Sequence, residues 1–167
     1  MNNESEFQLN ENQHDFQALF DGMKDKNKLI LLAPRKSGTT TWLISLVLKT
    51  LSDKTNRVLK IACLFAKKRD RNKFCFSVYK NLKEEVVDSY NLKENMVKLQ
   101  LKQGHVIYFT RNYDYPSHSW IKEMDVVFSD GIQEVLLSNE IELCKRLYCV
   151  FTSHNIGLPS IHELGPE

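Results

Sequence analysis

The segment at residues 29–42 constrains the fold more than any other part of the sequence, because it joins a short apolar run to a polar loop and a helix start. Residues 29–33 carry no polar side chain, as is typical of a central parallel strand that is covered on both faces. Backbone N–H groups at a helix N-terminus behind such a loop bind phosphate. The segment therefore predicts a phosphate cradle at the edge of an α/β sheet. The alternative is a helix-capping loop with two surface cations.

The loop supplies several of the groups that a phosphate cradle needs. Gly38 permits the backbone to bend, while Arg35 and Lys36 provide positive charge from the front of the loop. Hydroxyl residues from Thr39 onward open the helix, where such residues cap it or bind a metal ion. The standard pattern, however, has a glycine at the position of Ala33 and a lysine at the position of Thr39. The loop alone therefore leaves both interpretations open.

Hydrophobic patterning alternates strands with helices along the rest of the chain. The predicted helices are 10–23, 39–52, 69–87 and 132–137, the last extending to 142, and the predicted strands are 28–33, 58–65, 96–101, 106–109, 126–128 and 147–151. Strands alternating with helices imply one α/β domain with a mostly parallel sheet flanked by helices. We expect a flexible N-terminus at residues 1–8, a loop at 111–120 and a C-terminal tail at 159–167.

Three polar segments follow predicted strands, and ligands of such sheets bind beyond the carboxyl ends of the strands. These segments are the loop after Leu32, Asp130 after the predicted strand 126–128, and residues 152–155 after the predicted strand 147–151. Asp130 could hold Mg²⁺ directly or through water. Gly131 follows it where a glutamate that orients water is usual, and Glu134 is the next acid. Glu134 is either a substitute for that glutamate or a solvated carboxylate on a helix face.

Composition excludes few functions. A formal net charge of +2 is too small to identify a nucleic-acid binder, and the basic cluster at residues 67–73 is typical of a solvated helix start, with phosphate contact as the alternative. The four cysteines form no C-x-x-C pair, which favours buried reduced thiols inside a cell. No apolar run approaches the roughly 20 residues of a membrane span, and the N-terminus lacks the features of a signal peptide.

Residues 34–42, P-R-K-S-G-T-T-T-W, resemble the nucleotide loop of viral terminase large subunits, and the herpesvirus pattern P-R-R-x-G-K-T-W is especially close. Upstream, residues 9–13 with Phe16 resemble the adenine-reading glutamine motif of those ATPases. Downstream, residues 125–130 resemble their metal-aspartate strand, and residues 151–157, F-T-S-H-N-I-G, resemble their coupling motif of the type S-S-T-N-T-G. The four motifs keep the family's order and rough spacing over nearly the whole chain.

The resemblance implies an ASCE-type P-loop ATPase domain at residues 9–158 that uses ATP and Mg²⁺. In the family this domain drives double-stranded DNA into a preformed capsid, in a complex with other packaging or capsid proteins and without a membrane. Gln13 would contact adenine, Arg35 would approach the γ-phosphate, and Thr40 and Asp130 would hold Mg²⁺. The implied nucleotide-binding residues are Gln13, Arg35, Lys36, Ser37, Gly38, Thr39 and Thr40, and the implied coupling residues are Thr152, Ser153 and Asn155.

Two positions depart from the family's pattern. Thr39 stands where the family has lysine, and Gly131 stands where it has the catalytic glutamate. Loss of a preorganised charge in phosphoryl transfer costs on the order of several kcal/mol of barrier. We therefore expect crippled turnover unless Lys36 and Glu134 compensate.

Three functions remain open at this point. The first is a terminase-like subunit of a viral packaging machine that is impaired in hydrolysis and acts in nucleotide binding, DNA binding or assembly. The second is an active minimal ATPase that uses Lys36, and the third is a small P-loop phosphotransferase of unrelated role. No segment remains for the nuclease domain of complete terminases, so DNA cutting is not expected. A viral protein of this kind would act in the host nucleus or cytoplasm, where capsids assemble.

Overall fold

The described part of the chain forms one eight-stranded sheet with five helices packed on it. The computed structural model describes residues 10–23, 25–53, 57–93, 96–111, 118–131 and 138–164. The strands are β1 Lys28–Pro34, β2 Lys60–Phe65, β3 Val86–Lys93, β4 Met96–Leu101, β5 Val106–Arg111, β6 Val126–Asp130, β7 Leu147–Ser153 and β8 Ser160–Glu163. The helices are α1 Glu11–Asp21, α2 Thr39–Ser52, α3 Lys68–Leu82, α4 His118–Lys122 and α5 Ser138–Leu143.

The strand order is β3-β4-β5-β2-β6-β7-β1-β8. The five strands from β5 to β1 in this order pair in parallel, and antiparallel strands flank them on both sides. Strand β7 therefore lies between β1 and β6, although it comes last of the three in sequence. The predicted fold class, a mostly parallel α/β sheet flanked by helices, is confirmed.

Both faces of the central strands are buried, which explains their continuous apolar runs. The larger core lies where α1, α2 and α3 cover the sheet and contains Trp42, Phe74 and Phe128. The smaller core lies on the side of α4 and α5 and contains Ile121 and Leu147. Helix α2 follows β1 after only four residues, so the apolar face of α2 fixes where the loop between them sits.

The predicted helices and strands match the structure closely in the first half of the chain. Helix α2 spans the predicted 39–52, and β1 and β2 differ from the predicted strands by one or two residues at their ends. The predicted helix 69–87 is too long, because α3 ends at Leu82 and Val86 begins β3. Val86 pairs with Leu101 of β4, so strand pairing removes this residue from the predicted helix 69–87. The predicted strands 96–101 and 106–109 form an antiparallel pair, β4 and β5, with β3 as an additional outer strand.

Two further elements were not predicted. Strand β8 pairs antiparallel with β1 and lies within the expected C-terminal tail. Helix α4 begins within the expected loop 111–120 and ends at Lys122, and Arg111 is the last residue of β5. The expected flexible terminus at residues 1–8 and the predicted helix 132–137, with Glu134, lie outside the described residues. Among the described helices, none has the length and apolar character that crossing a bilayer requires.

Candidate functional site

The three polar segments meet at one edge of the sheet. Ala33 and Pro34, at the end of β1, lie beside Thr152 and Ser153 of β7. Asp130, at the end of β6, lies on the other side of β7 in register with Val150. Because β1, β7 and β6 are parallel neighbours, their carboxyl ends open onto a common surface.

The loop between β1 and α2 has the backbone form of an anion cradle. Lys36 and Gly38 both adopt left-handed conformations, with φ of 60° and 90°. Loops with such alternating conformations form concave sites in which successive N–H groups converge. The Ser37 hydroxyl donates to the Pro34 carbonyl at 2.6 Å, and this hydrogen bond stabilises the bend of the loop. Arg35 and Lys36 project into solvent at its front, where both side chains are exposed.

A hydrogen bond joins the first turn of α2 to the end of β6. The Thr40 hydroxyl donates to a carboxylate oxygen of Asp130 at 2.9 Å, across the width of β7. The pKa of Asp130 is raised to about 6, chiefly by burial and to a smaller extent by the negative charge of Asp70, while the Thr40 hydrogen bond acts to lower it. The fold therefore holds a carboxylate and a hydroxyl together in surroundings where the ionised carboxylate is poorly stabilised.

This pair of oxygen donors fits a magnesium ion. Mg²⁺ is commonly bound by one or two carboxylates together with substrate phosphates and waters, rather than by a complete protein cage. Among the described residues, no group of three or more His, Cys, Asp or Glu side chains could hold a metal ion. A cation at this edge would therefore be held by Asp130 and Thr40, and it would supply positive charge to phosphate oxygens in the cradle.

Gln13 contacts the loop itself. Its side chain is 4% exposed, and its amide nitrogen donates to the Gly38 carbonyl at 3.0 Å. Its amide oxygen accepts from the Asn10 backbone N–H at 2.8 Å, as part of a capping box at the start of α1. Through its hydrogen bond to Gly38, Gln13 therefore links α1 to the loop between β1 and α2. The adenine contact that the resemblance implies for it is not tested by this geometry and stays a prediction.

The two departures from the family's pattern lie at the same edge. Thr39 is 6% exposed at the start of α2, so the position that carries lysine in the pattern places an uncharged side chain against the loop. Gly131 has φ of 76° and donates its N–H to the Val150 carbonyl. Neither residue brings a charge to the cradle. Glu134, the proposed substitute, lies outside the described residues.

The predicted coupling residues straddle the end of β7. Thr152 and Ser153 are its last two residues and lie beside β1, whereas Asn155 lies in the turn that follows. The Asn155 backbone N–H donates to the Ser153 hydroxyl at 3.1 Å and tightens that turn. Thr152 and Ser153 thus pair with the strand end from which the loop after β1 begins, and their coupling role stays a prediction.

Asp70 is a site residue that the sequence analysis did not identify. It lies in the first turn of α3, and β2, which precedes α3, pairs with β6 so that Phe65 is in register with Asp130. Its charge contributes to the raised pKa of Asp130. The position of Asp70 shortly after the strand β2 could have indicated a site residue. The sequence does not show, however, that β2 and β6 are neighbours in the sheet.

Structural comparison finds the same fold in phage proteins. The large terminase of bacteriophage HK97 aligns with a TM-score of 0.63 at 17% identity, over 87% of this chain and 33% of the terminase. The large terminase of the thermophilic bacteriophage D6E in complex with ATP-γ-S aligns with a TM-score of 0.56 at 14% identity, over 86% of this chain and 38% of the terminase. The D6E protein in complex with ADP also aligns, with a TM-score of 0.53 at 14% identity, over 86% of this chain and 39% of the terminase.

This chain thus spans 33–39% of the length of these terminases. No protein-family model and no curated protein matches the sequence. At such low identity the likeness concerns the fold, and it agrees with the strand order and the loop described above. The chain therefore shares its mostly parallel α/β fold with part of the large terminases of bacteriophages HK97 and D6E.

Proposed function

We propose that this chain binds a nucleoside triphosphate together with Mg²⁺ at the cradle and that it hydrolyses this nucleotide slowly or not at all. The loop between β1 and α2 would hold the phosphates through its N–H groups, with Arg35 and Lys36 near the γ-phosphate. Thr40 and Asp130 would hold Mg²⁺. Gln13, Ser37, Gly38 and Thr39 complete the wall of the site.

The observation that carries this proposal is the hydrogen bond between Thr40 and Asp130. It joins a hydroxyl from the loop helix to a carboxylate from a different strand, with β7 between them. A capping loop with two surface cations has no need of a carboxylate two strands away. A cation bound at this pair would stabilise the ionised form of Asp130, which burial disfavours.

Impaired hydrolysis follows from the two uncharged positions. Thr39 leaves the cradle without the ammonium group that would neutralise charge developing on the transferred phosphoryl group. Gly131 has no side chain to orient an attacking water. Each loss of this kind lowers turnover about a hundredfold or more, so binding can persist where catalysis does not.

An active ATPase is the second candidate. Lys36 is exposed on the loop at a left-handed position and carries the charge that Thr39 lacks. Glu134 would then orient the attacking water in place of the glutamate that Gly131 replaces. A small phosphotransferase is the third candidate, and no feature of the described residues favours it.

The biological setting that we propose is viral DNA packaging. Support comes from the fold shared with phage large terminases and from the resemblance of the loop to the herpesvirus pattern. In this setting the chain would act with double-stranded DNA and other packaging or capsid proteins, as a subunit with degenerate nucleotide motifs. Thr152, Ser153 and Asn155 would couple the nucleotide state to movement, at the site of capsid assembly in the host cell.

The test is calorimetric titration of the purified protein with ATP, with and without Mg²⁺, combined with a phosphate-release assay. We expect Mg²⁺-dependent binding without appreciable turnover. Rapid turnover that Lys36→Ala abolishes would establish the active ATPase instead. Absence of binding at millimolar Mg²⁺–ATP would overturn the proposed nucleotide site.

Duplex binding is measured separately, because the nucleotide site and the packaging role can fail independently. The protein is mixed with labelled double-stranded DNA in the presence and absence of Mg²⁺–ATP, and the anisotropy of the label is followed. The packaging role predicts a nucleotide-dependent change in affinity. An affinity that is the same in all nucleotide states would count against coupling through β7.

A further inference from the structure

The solvent face of α3 carries an unusual combination of side chains. At helical spacing of three and four residues, this face presents alternating cations with an aromatic residue at its centre. The exposed side chains of this face, which we call the α3 face, are Arg69, Asn72, Lys73, Phe76, Tyr79, Lys80 and Lys83.

Two aromatic rings of the α3 face are exposed. Phe76 is 67% exposed and Tyr79 is 41% exposed, although the opposite side of the same helix buries Phe74 and Val78 in the core. Exposing a phenylalanine in the middle of a charged helix face contributes nothing to folding, because its apolar area stays in water. The core therefore does not explain why an aromatic residue occupies position 76.

A groove lies beside these rings. It has a volume of about 260 Å³ and lies between α3 and the outer strands β3 and β4. Its walls include Phe76 and Tyr79 from the helix, Val97 from β4, and the polar side chains of Asn72 and Ser89. The groove is thus an apolar slot with hydrogen-bonding groups at its side, open next to a row of cations.

The charge of α3 is strongly one-sided. Arg69, Lys73 and Lys80 lie on the α3 face, and Lys83 follows directly after the helix, with Glu84 and Glu85 next in sequence. Asp70 is the acid of the helix itself, and it faces the Asp130 edge, where its charge affects that carboxyl. Phe76 sits one helical turn from both Lys73 and Lys80, about 5 Å along the axis in each direction. A chain of phosphates could follow the cations while a base contacts the ring between them.

We propose that the α3 face binds single-stranded nucleic acid. The cations would contact backbone phosphates, and Phe76 and Tyr79 would stack on unpaired bases, one of which would enter the groove. Stacking on an exposed ring requires a base that is not already paired and stacked within a duplex, and every base has a face that can stack. The surface therefore prefers a single strand to a duplex and has little sequence preference.

The experiment uses a fluorescently labelled single strand of mixed sequence and the duplex of the same length, titrated with the protein at several salt concentrations. We expect tighter binding of the single strand and an affinity that falls as salt increases. Phe76→Ala should weaken single-strand binding about tenfold, with duplex binding little changed, and Phe76→Tyr should restore it. Lys73→Ala and Lys80→Ala should each make the salt dependence shallower by about one released ion.

Two variants serve as matched controls, and both should bind as the unchanged protein does. Leu158→Ala removes a side chain that is 85% exposed and distant in sequence from α3, and Lys49→Ala removes an exposed cation of α2. Circular dichroism shows that each variant is folded. An unchanged single-strand affinity of Phe76→Ala, an equal loss of duplex affinity in that variant, or no single-strand binding at low salt would each overturn the proposal. Asp130→Asn should bind the single strand normally, which separates this surface from the nucleotide site.

Discussion

The proposed nucleotide site at the carboxyl ends of β1 and β6 has two parts, which differ in the functional groups that they retain. The half formed by Thr40 and Asp130 has the oxygen donors of a magnesium site, already joined by a 2.9 Å hydrogen bond. The half formed by Thr39 and Gly131 has neither of the charges that phosphoryl transfer uses. The difference indicates that the groups proposed to hold a nucleotide and the groups that would hydrolyse it occupy separate positions in this fold. One set can therefore be lost while the fold keeps the other.

Restoring both missing charges should have the largest effect. The double variant Thr39→Lys with Gly131→Glu is expected to raise the rate of phosphate release about a hundredfold, because it returns an ammonium group and a carboxylate to the cradle. Steady-state phosphate release with Mg²⁺–ATP measures this. Gly131 has φ of 76°, so the glutamate would be strained there at about 1 kcal/mol. The single variant Thr39→Lys is the control for charge without a water-orienting group, and a double variant no faster than it would break the comparison.

Removing the carboxylate of the Thr40–Asp130 pair should abolish the dependence of nucleotide binding on Mg²⁺. Asp130→Asn keeps an oxygen that can accept from Thr40 but removes the negative charge. We expect the gain in ATP affinity on adding Mg²⁺ to fall by about tenfold or more, as measured by calorimetry. Asp25→Asn, at an exposed turn, is the control and should behave as the unchanged protein. Full Mg²⁺ dependence in Asp130→Asn would place the metal elsewhere.

Glycine substitutions should separate the cost of a left-handed backbone from the cost of a steric clash. A Cβ at Gly38 would lie 2.6 Å from the amide nitrogen of Gln13, at a φ of 90°. Gly131 has a positive φ but open space around it, and Gly157 has open space and no left-handed backbone. We expect the free energy of unfolding to drop by about 1 kcal/mol in Gly131→Ala and by about 2–3 kcal/mol in Gly38→Ala, with no change in Gly157→Ala.

Chemical denaturation measures this series. If Gly38→Ala is no less stable than Gly131→Ala, the contact between α1 and the cradle does not constrain the loop. In that case Gln13 is free to serve another purpose, such as the predicted adenine contact.

The smallest effects concern the protonation of Asp130. Its pKa of about 6 in the folded chain exceeds the ordinary 3.8, so the folded state binds more protons than the unfolded state between these values. The ligand-free protein should therefore gain about 1–3 kcal/mol of stability as the pH falls from above 6 to below 4. Asp130→Asn should lack this gain. Denaturation at a series of pH values tests the sign, and a loss of stability attributable to Asp130 over this range would contradict it.

Asp70→Asn should sharpen the same measurement. Removing the neighbouring negative charge should lower the pKa of Asp130 slightly, because that charge disfavours ionisation. An NMR titration of the Asp130 carboxyl would follow the shift. An unchanged pKa would mean that Asp70 does not act on this edge.

Much of the fold was predictable from local pattern. The apolar run of β1 and the length of α2 follow from residues close together in sequence, and the alternation of strands with helices indicated the parallel sheet. Local pattern failed where pairing partners decided the outcome. Val86 has the spacing of an α3 residue but pairs with β4, and β8 gains its place only by lying against the edge of β1.

By itself the sequence determined the kinds of groups available at the proposed nucleotide site, including the hydroxyls of the loop and of the start of α2, the aspartate that ends β6, and the absence of charge at Thr39 and Gly131. Tertiary structure alone decided which of these groups meet. The contact between Thr40 and Asp130, 90 residues apart, exists because β7 inserts between β1 and β6 and sets their spacing. Asp70 joins the edge because β2 pairs with β6. The physical reason is that hydrophobic pattern encodes which face of a strand is buried, whereas strand order depends on long-range packing.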